Sequence, residues 1–553
     1  MTHAPAFQNW LDAFFASYYR HRPVNATFVG VHDYDDRLPD FSEQGIAAVQ
    51  SDMAALLQQL GVLPDEPLRA AETLDRRLAE GFLRIQQWEY DSLHFARGNP
   101  CVYTGEAAFG VLSLLRRPFA PLQERLAHAA ARMDAIPALL EQGQANVRQA
   151  PRAWTDKAID ECHGLLALLQ EGIPQLMHEN GMDDARVSDA AERASKAVTA
   201  FQQYLENELR QHASEQIACG SEAFELYLRH GHFLSQSADE IAAHAEATIA
   251  ECAADLAAQA REFGADDWRA VLAMQADHHP TTEQYLDQYG KVWDACRATA
   301  EAHDLVTWPE YPIRYVPRPR WVRSAAPHLY FLFYHSPAPF DRLPEVEYLV
   351  TPIEPSMPAD EQERLLRATN DSVIKLNHVV HHGALGHHVQ NYYAFRAESR
   401  IGQMAAVDCA SRVAMFCAGT MAEGWACYAT DLMGEVGFMT PLERFGERHG
   451  RLRMAARALA DVRLHHGQWS LEDAARFYQE QVGMPAAAAR NEAVKNSMFP
   501  ATATMYLMGT DAIHALRHAM EARPDFNLRH FHDQLLSFGS VPVALIAEAM
   551  HGV

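Results

Sequence analysis

Residues 68–90 read L-R-A-A-E-T-L-D-R-R-L-A-E-G-F-L-R-I-Q-Q-W-E-Y, and the apolar positions Leu74, Leu78, Phe82 and Ile85 fall three and four apart between charged residues. That spacing draws one apolar stripe along a helix of 3.6 residues per turn and lacks the strict alternation of a half-buried strand. The same pattern recurs over 46–60, 154–169, 190–209 and 238–263 and resumes beyond Asp360. Alternating, β-branched stretches are few; the best candidates are 328–334 and 346–353, split by a Pro-containing loop. Pro441, Pro485, Pro500 and Pro542 fall at helix starts or breaks. No repeat of fixed period is present. The expected fold is mainly α, a single large helical body with at most a small β element. An N-terminal helical half, 1–305, is expected to cover a cleft carried by a C-terminal half, 306–553, the two forming one continuous domain.

With 553 residues, 48% of them hydrophobic, the chain can bury a large core. Lys plus Arg number 47 against 72 Asp plus Glu, a net charge of −25. That field repels phosphate backbones and anionic lipid, so neither a nucleic acid nor a membrane is an expected partner; a small molecule or short peptide is. Eight cysteines (Cys101, Cys162, Cys219, Cys252, Cys296, Cys409, Cys417, Cys427) are scattered without a C-x-x-C pair and read as reduced core residues. The first twenty residues have no basic region and carry apolar positions at helical spacing, which reads as an amphipathic helix. No segment approaches eighteen consecutive apolar residues. Together these features lead to the expectation of a cytoplasmic protein.

The chemistry is concentrated in 378–388, H-V-V-H-H-G-A-L-G-H-H. It holds five histidines, where an even scatter of the chain's 29 would put fewer than one. Neutral imidazoles on one helical face, completed by a carboxylate from another helix, make an open tetrahedral site for a divalent metal. His378 and His382 are four apart and His381 and His388 seven apart, so each pair shares a face of a regular helix. Pairing His381 with His387 requires a local bulge, which Gly383 and Gly386 can supply.

Three further motifs follow. Glu423 stands in the otherwise apolar M-A-E-G-W-A-C-Y, where a buried carboxylate needs a cation or several donors. Asp461 and His465, four apart in R-A-L-A-D-V-R-L-H-H, have the spacing at which a carboxylate orients an imidazole. Tyr506, in P-A-T-A-T-M-Y-L-M-G, offers a phenol that can donate to a developing oxyanion.

The ordered series G-H-H-V-Q, E-G-W-A-C-Y, R-A-L-A-D-V-R-L-H, P-A-T-A-T-M-Y-L-M-G and F-H-D-Q-L-L-S-F-G-S-V-P resembles the bacterial domain-of-unknown-function 885 family, strongly in the last third and loosely elsewhere. That family looks like a helical zinc metallopeptidase of the angiotensin-converting-enzyme and carboxypeptidase Taq type. The resemblance implies that His381 and His387 match the two histidine ligands of its H-E-x-x-P-G-H-H motif and Glu423 the third, with His388 as the alternative second ligand. It implies that Tyr506 faces substrate, and that Asp461 and His465 line or brace the cleft. His378 stands behind the ligands. Zinc is the implied cofactor, with iron or manganese as alternatives.

The sequence departs from that pattern where the chemistry is sharpest. His382 replaces the glutamate that acts as general base, and Leu385 replaces the proline. Lys495, Asn496, Ala501 and Thr502 stand where the family usually has Arg, Tyr, Gly and Gln. The leading expectation is a metallohydrolase acting on a peptide or acylated amino acid, with His382 or His465 as base. The alternatives are a repurposed lyase, isomerase or oxygenase and a non-catalytic relative. No phosphate-cradling loop and no G-x-S-x-G elbow occurs.

Overall fold

The computed structural model describes residues 4–64, 66–329, 338–404 and 419–551. It is mainly α, as expected, with two parallel two-stranded sheets as its β content. The helical stretches read from periodicity become the helices Glu43–Gly61, Ala70–Asp91, Arg152–Ala167, Ala185–Asn207 and Ala238–Glu262. Of the two strand candidates, the second is the strand Val346–Val350. It pairs in parallel with Ile313–Pro317, a segment the alternation had not singled out, from Ile313 opposite Val346 to Pro317 opposite Val350. Residues 330–334 of the first candidate lie outside the described residues, as do Cys409 and Cys417. Six cysteines are free thiols, five of them buried. No described helix is long and apolar enough to cross a membrane.

The chain forms two compact units, and neither follows a single cut at 305/306. Of the described residues, one unit holds those of 4–217 and 318–343, the other those of 218–317, 344–404 and 419–551. The physical reason is packing: Ala238–Glu262 lies along the helix Pro441–His465, so the 218–305 stretch shares a core with the C-terminal chain.

The first unit is organised around Cys101–Arg116, in which every residue from Cys101 to Leu115 is buried. Its sequence, C-V-Y-T-G-E-A-A-F-G-V-L-S-L-L, is apolar or small nearly all round, the signature of a helix enclosed on every side. Beside it lies a polar knot centred on the buried Arg132, Thr27 and Asp35. Arg132 donates to the Gly110 and Tyr34 carbonyl oxygens at 2.7 and 3.2 Å and to Thr27 Oγ1 at 2.6 Å. His32 sits between Asp35 and Asp341, 2.7 Å from each, with Phe119 stacked on its ring at 3.9 Å.

The second unit carries the histidine cluster. Its long helix Pro441–His465 starts where the proline predicts: Thr440 caps the first turn, Glu443 returns the bond to the Thr440 N–H at 2.8 Å, and Pro441 occupies the first helical position. Glu443 also accepts from Lys375 Nζ at 2.8 Å, fixing this helix to the segment that bears the histidines.

Candidate metal centre

The segment Val373–Gly383 is a π-helix, wound wider than an α-helix, and it ends at Ala384 before a second helix, His387–Ala394, begins. Gly386 N–H closes the turn on the Val380 carbonyl oxygen at 2.9 Å. A Cβ on Gly386 would collide with the His381 carbonyl, and one on Gly383 with the Tyr315 hydroxyl, so both positions need glycine for close approach. Two indoles clamp the turn: Trp293 Nε1 donates to the Gly383 carbonyl at 2.8 Å and Trp425 Nε1 to the Leu385 carbonyl at 2.9 Å. The break brings His381 and His387 to one point, their ring centroids 4.9 Å apart.

Trp425 also ties the helix Gly419–Glu435 to that turn, which carries Glu423 to the same point. Glu423 Oε2 lies 3.3 Å from His381 Nε2 and 3.5 Å from His387 Nε2. Tetrahedral zinc with bonds of about 2.1 Å has donor-to-donor edges of about 3.4 Å, so these separations fit a shared ion. Oε2 is buried and forms no hydrogen bond, although two ring nitrogens face it. The donor set, two imidazoles and one carboxylate with room for a further ligand, suits zinc and equally suits ferrous iron or manganese. His382 lies alongside, with a donor atom within 4.8 Å of those of His381 and His387.

Electrostatics keep the set ready for a cation. Burial lowers the pKa of His381, with Glu423 opposing, so its ring is neutral. Burial and then the neighbouring His381 and His387 push His382 well below the usual imidazole range. Burial would raise Glu423, but the two histidines outweigh it and hold the carboxylate well below its usual value. His382 Nδ1–H donates to the Asn377 carbonyl oxygen at 2.7 Å, which leaves Nε2 as its basic nitrogen.

Tyr506 is brought in by a close crossing of two helices. A Cβ at Gly424 would strike the Gly509 backbone, and one at Gly509 the Thr420 backbone, so glycine lets Gly419–Glu435 and Met505–Glu521 touch. Burial, and then the charge of Glu423, raise the Tyr506 pKa, so the phenol keeps its proton. Arg457 stacks over the Tyr506 ring at 4.9 Å and grips Glu492 with two bonds of 2.7 and 2.9 Å. Arg453, one turn earlier, is exposed and makes no ion pair among the described residues. Arg457's charge depresses its pKa, and it lies within electrostatic reach of His381 and Tyr506. Sequence reasoning missed Arg453, Arg457 and Glu492; the four-residue spacing of Arg453, Arg457 and Asp461 along one helix was the available signal for the two arginines, and Glu492 comes from another helix. It also missed Cys427, whose Sγ lies 4.0 Å from His381 Nδ1.

Three expectations are corrected. His388 is not an alternative ligand: it follows His387 on a helix and so points to another face. There its Nε2 meets the Tyr311 carbonyl at 2.7 Å and its ring stacks on Tyr311 at 5.2 Å. His465 is not placed to act as base, because its fully buried Nε2 faces the Asn496 carbonyl at 3.0 Å. Asp461 Oδ1 lies 3.6 Å from His465 Nε2, beyond hydrogen-bond reach, and its carboxylate accepts instead from the Ala501 and Thr504 N–H groups, each at 3.1 Å. That pins the turn ahead of Tyr506, in which Ala501 has a φ of 58°. Asp461 and His465 thus both engage the segment that leads into Tyr506. His378 Nδ1 lies 2.5 Å from the Tyr348 hydroxyl.

Comparison with known proteins gives the chain its relatives. A family model described as "Bacterial protein of unknown function (DUF885)" matches residues 23–550. Two solved structures share the fold. One is a "putative lipoprotein of unknown function" from Shewanella oneidensis, 22% identical with a TM-score of 0.79. The other is a "putative lipoprotein" from Colwellia psychrerythraea, 15% identical with a TM-score of 0.78; each match covers 99% of both chains. No curated protein matches. The lipoprotein descriptions overturn the cytoplasmic expectation. The grounds for it, an acidic surface, scattered thiols and no apolar spanning segment, are equally compatible with a helical protein tethered by lipid.

Proposed function

The chain belongs to the DUF885 family of bacterial proteins, and on that premise we propose that it is a metal-dependent enzyme with a peptidase-derived site, hydrolysing a short peptide or an acylated amino acid. The observation that carries the reading is the pair of 3.3 and 3.5 Å separations from one buried carboxylate oxygen to two imidazole nitrogens. His381, His387 and Glu423 would hold zinc, and a divalent ion there supplies Lewis acidity toward a carbonyl oxygen or a water. His382 stands in for the glutamate of the related motif: its Nδ1–H is committed to Asn377, and Nε2 takes a proton from the nucleophile and returns it to the leaving amine. Tyr506, kept protonated, donates to the oxyanion. Arg453 offers its guanidinium to a substrate carboxylate, and the Arg457–Glu492 pair holds the Tyr506 ring.

The test is hydrolysis of dipeptides and N-acyl amino acids by zinc-loaded protein. His382→Ala is expected to lower kcat by at least about a hundredfold while the bound zinc stays the same. Turnover unchanged in that variant would remove His382 from the role of base, and an inactive wild type across the panel would sink the hydrolase reading. A second reading is favoured by the same ligand set: two histidines and one carboxylate also suit a non-haem iron or manganese enzyme catalysing a non-hydrolytic step. Metal analysis of anaerobically purified protein separates the two, since stoichiometric iron would displace zinc as the working ion.

A further inference from the structure

The first unit contains a second gathering of ligand-type side chains. Asp160 and His163 are three apart on the helix Arg152–Ala167, so they share a face. His328 comes to them from more than 160 residues away: its Nδ1 lies 2.6 Å from Asp160 Oδ1, and its ring centroid is 5.9 Å from that of His163. One ligand atom from each of the three lies within 4.8 Å of the other two. The approach depends on Gly164, where a Cβ would come within 2.8 Å of the His328 Cβ. Lys157 Nζ donates to Asp160 Oδ2 at 3.1 Å and to the His328 carbonyl at 3.0 Å, which turns Oδ1 toward the imidazoles. His163 Nε2 lies 3.1 Å from the Gln202 amide nitrogen, a contact that this exposed ring gives up when Nε2 turns to a metal.

We propose that Asp160, His163 and His328 form a second divalent-metal site, for an ion that accepts nitrogen and oxygen ligands such as zinc or nickel. The ion takes the position of the proton shared by His328 Nδ1 and Asp160 Oδ1, that proton leaves to solvent, and the 2.6 Å gap opens to about 3.4 Å. His163 supplies the third ligand from the exposed side, and water completes the tetrahedron. Bound there, the ion staples the 318–329 segment to the helix Arg152–Ala167 within one compact unit. Lys157 costs affinity through its charge and repays part of that cost by orienting the carboxylate.

The experiment uses the full chain, equilibrated with buffered free zinc and counted for metal by mass spectrometry. Wild type is expected to hold two zinc ions, and His163→Ala, which alters one exposed side chain, to hold one and to lose part of the zinc-dependent rise in Tm. Glu423→Gln is expected to keep a zinc ion at this second site, so loss of the centre formed by His381, His387 and Glu423 is read separately. Lys157→Met is expected to tighten zinc about fivefold at the second site by removing a nearby positive charge. The proposal is overturned if His163→Ala and His328→Asn both bind as many zinc ions as wild type. It is equally overturned if Glu423→Gln binds none, or if Lys157→Met leaves the affinity unchanged.

Discussion

In one compact unit His32 lies between two carboxylates; in the other, His381 and His387 share one. Burial works against a charge on His32, but its hydrogen bonds to Asp341 and Asp35 outweigh it and raise its pKa to about 9. At His381 burial prevails over the single carboxylate and the ring is neutral. The ratio of carboxylates to imidazoles therefore decides the part histidine plays. With two acids to one ring it is a fixed cation that locks packing. With one acid to two rings, burial wins at His381, and the shared carboxylate is left wanting a cation.

The neutral class extends well beyond the candidate metal centre, and it sets the largest effect. His232 and His532, buried, and His94 and His449, half-buried, each hold a ring nitrogen against a backbone carbonyl, of Ala501, Leu305, Ile217 and Val482 in turn, and desolvation lowers each pKa to about 4. Unfolding restores the ordinary value near 6.5, so the unfolded chain binds protons the native one refuses. Stability is full above pH 6.5 and falls as pH drops toward 4, by several kcal/mol over the four rings together. Urea denaturation at pH 7 and pH 5 measures it. A midpoint that does not move would mean that these rings protonate in place.

The shared carboxylate is the next largest. Glu423→Gln keeps the shape and removes the charge that two imidazoles face. Zinc affinity, read by competition with a chromophoric chelator, is expected to drop by at least about a hundredfold, more than is usual for residues behind metal ligands. Asp341→Asn, which removes a carboxylate from the cationic histidine, should leave that affinity alone. Equal losses in both would show that the contrast between the two environments has no bearing on metal binding.

These environments were only partly legible in the sequence. Periodicity gave the helices because a buried stripe repeats every three to four residues, and the density of histidines over 378–388 located the centre. The choice of His387 over His388 was not readable from spacing, because it turns on the π-helix and the break at Ala384. Asp461 and His465 looked like an orienting pair, yet each satisfies backbone groups of the 496–504 turn, a partner that no side-chain spacing reveals. The Asp160, His163 and His328 cluster was invisible for the same reason: His328 is distant in sequence and only the fold delivers it. The charge on His32 likewise depends on Asp341, 309 residues away.

That charge sets the smallest of the three effects and the cleanest sign. The native pKa of His32 is about 9 and the ordinary value 6.5, so the folded protein holds a proton that the unfolded chain releases. Its contribution is complete below pH 6.5, declines between 6.5 and 9, and is gone above. The side chain is 32% exposed, so screening reduces the contribution to about 1–2 kcal/mol. Wild type should therefore lose that much stability between pH 6.5 and pH 9.5, and Asp341→Asn, starting lower, should lose less over the same interval. A parallel decline in both proteins would place the proton elsewhere and erase the distinction between the cationic His32 and the neutral histidines.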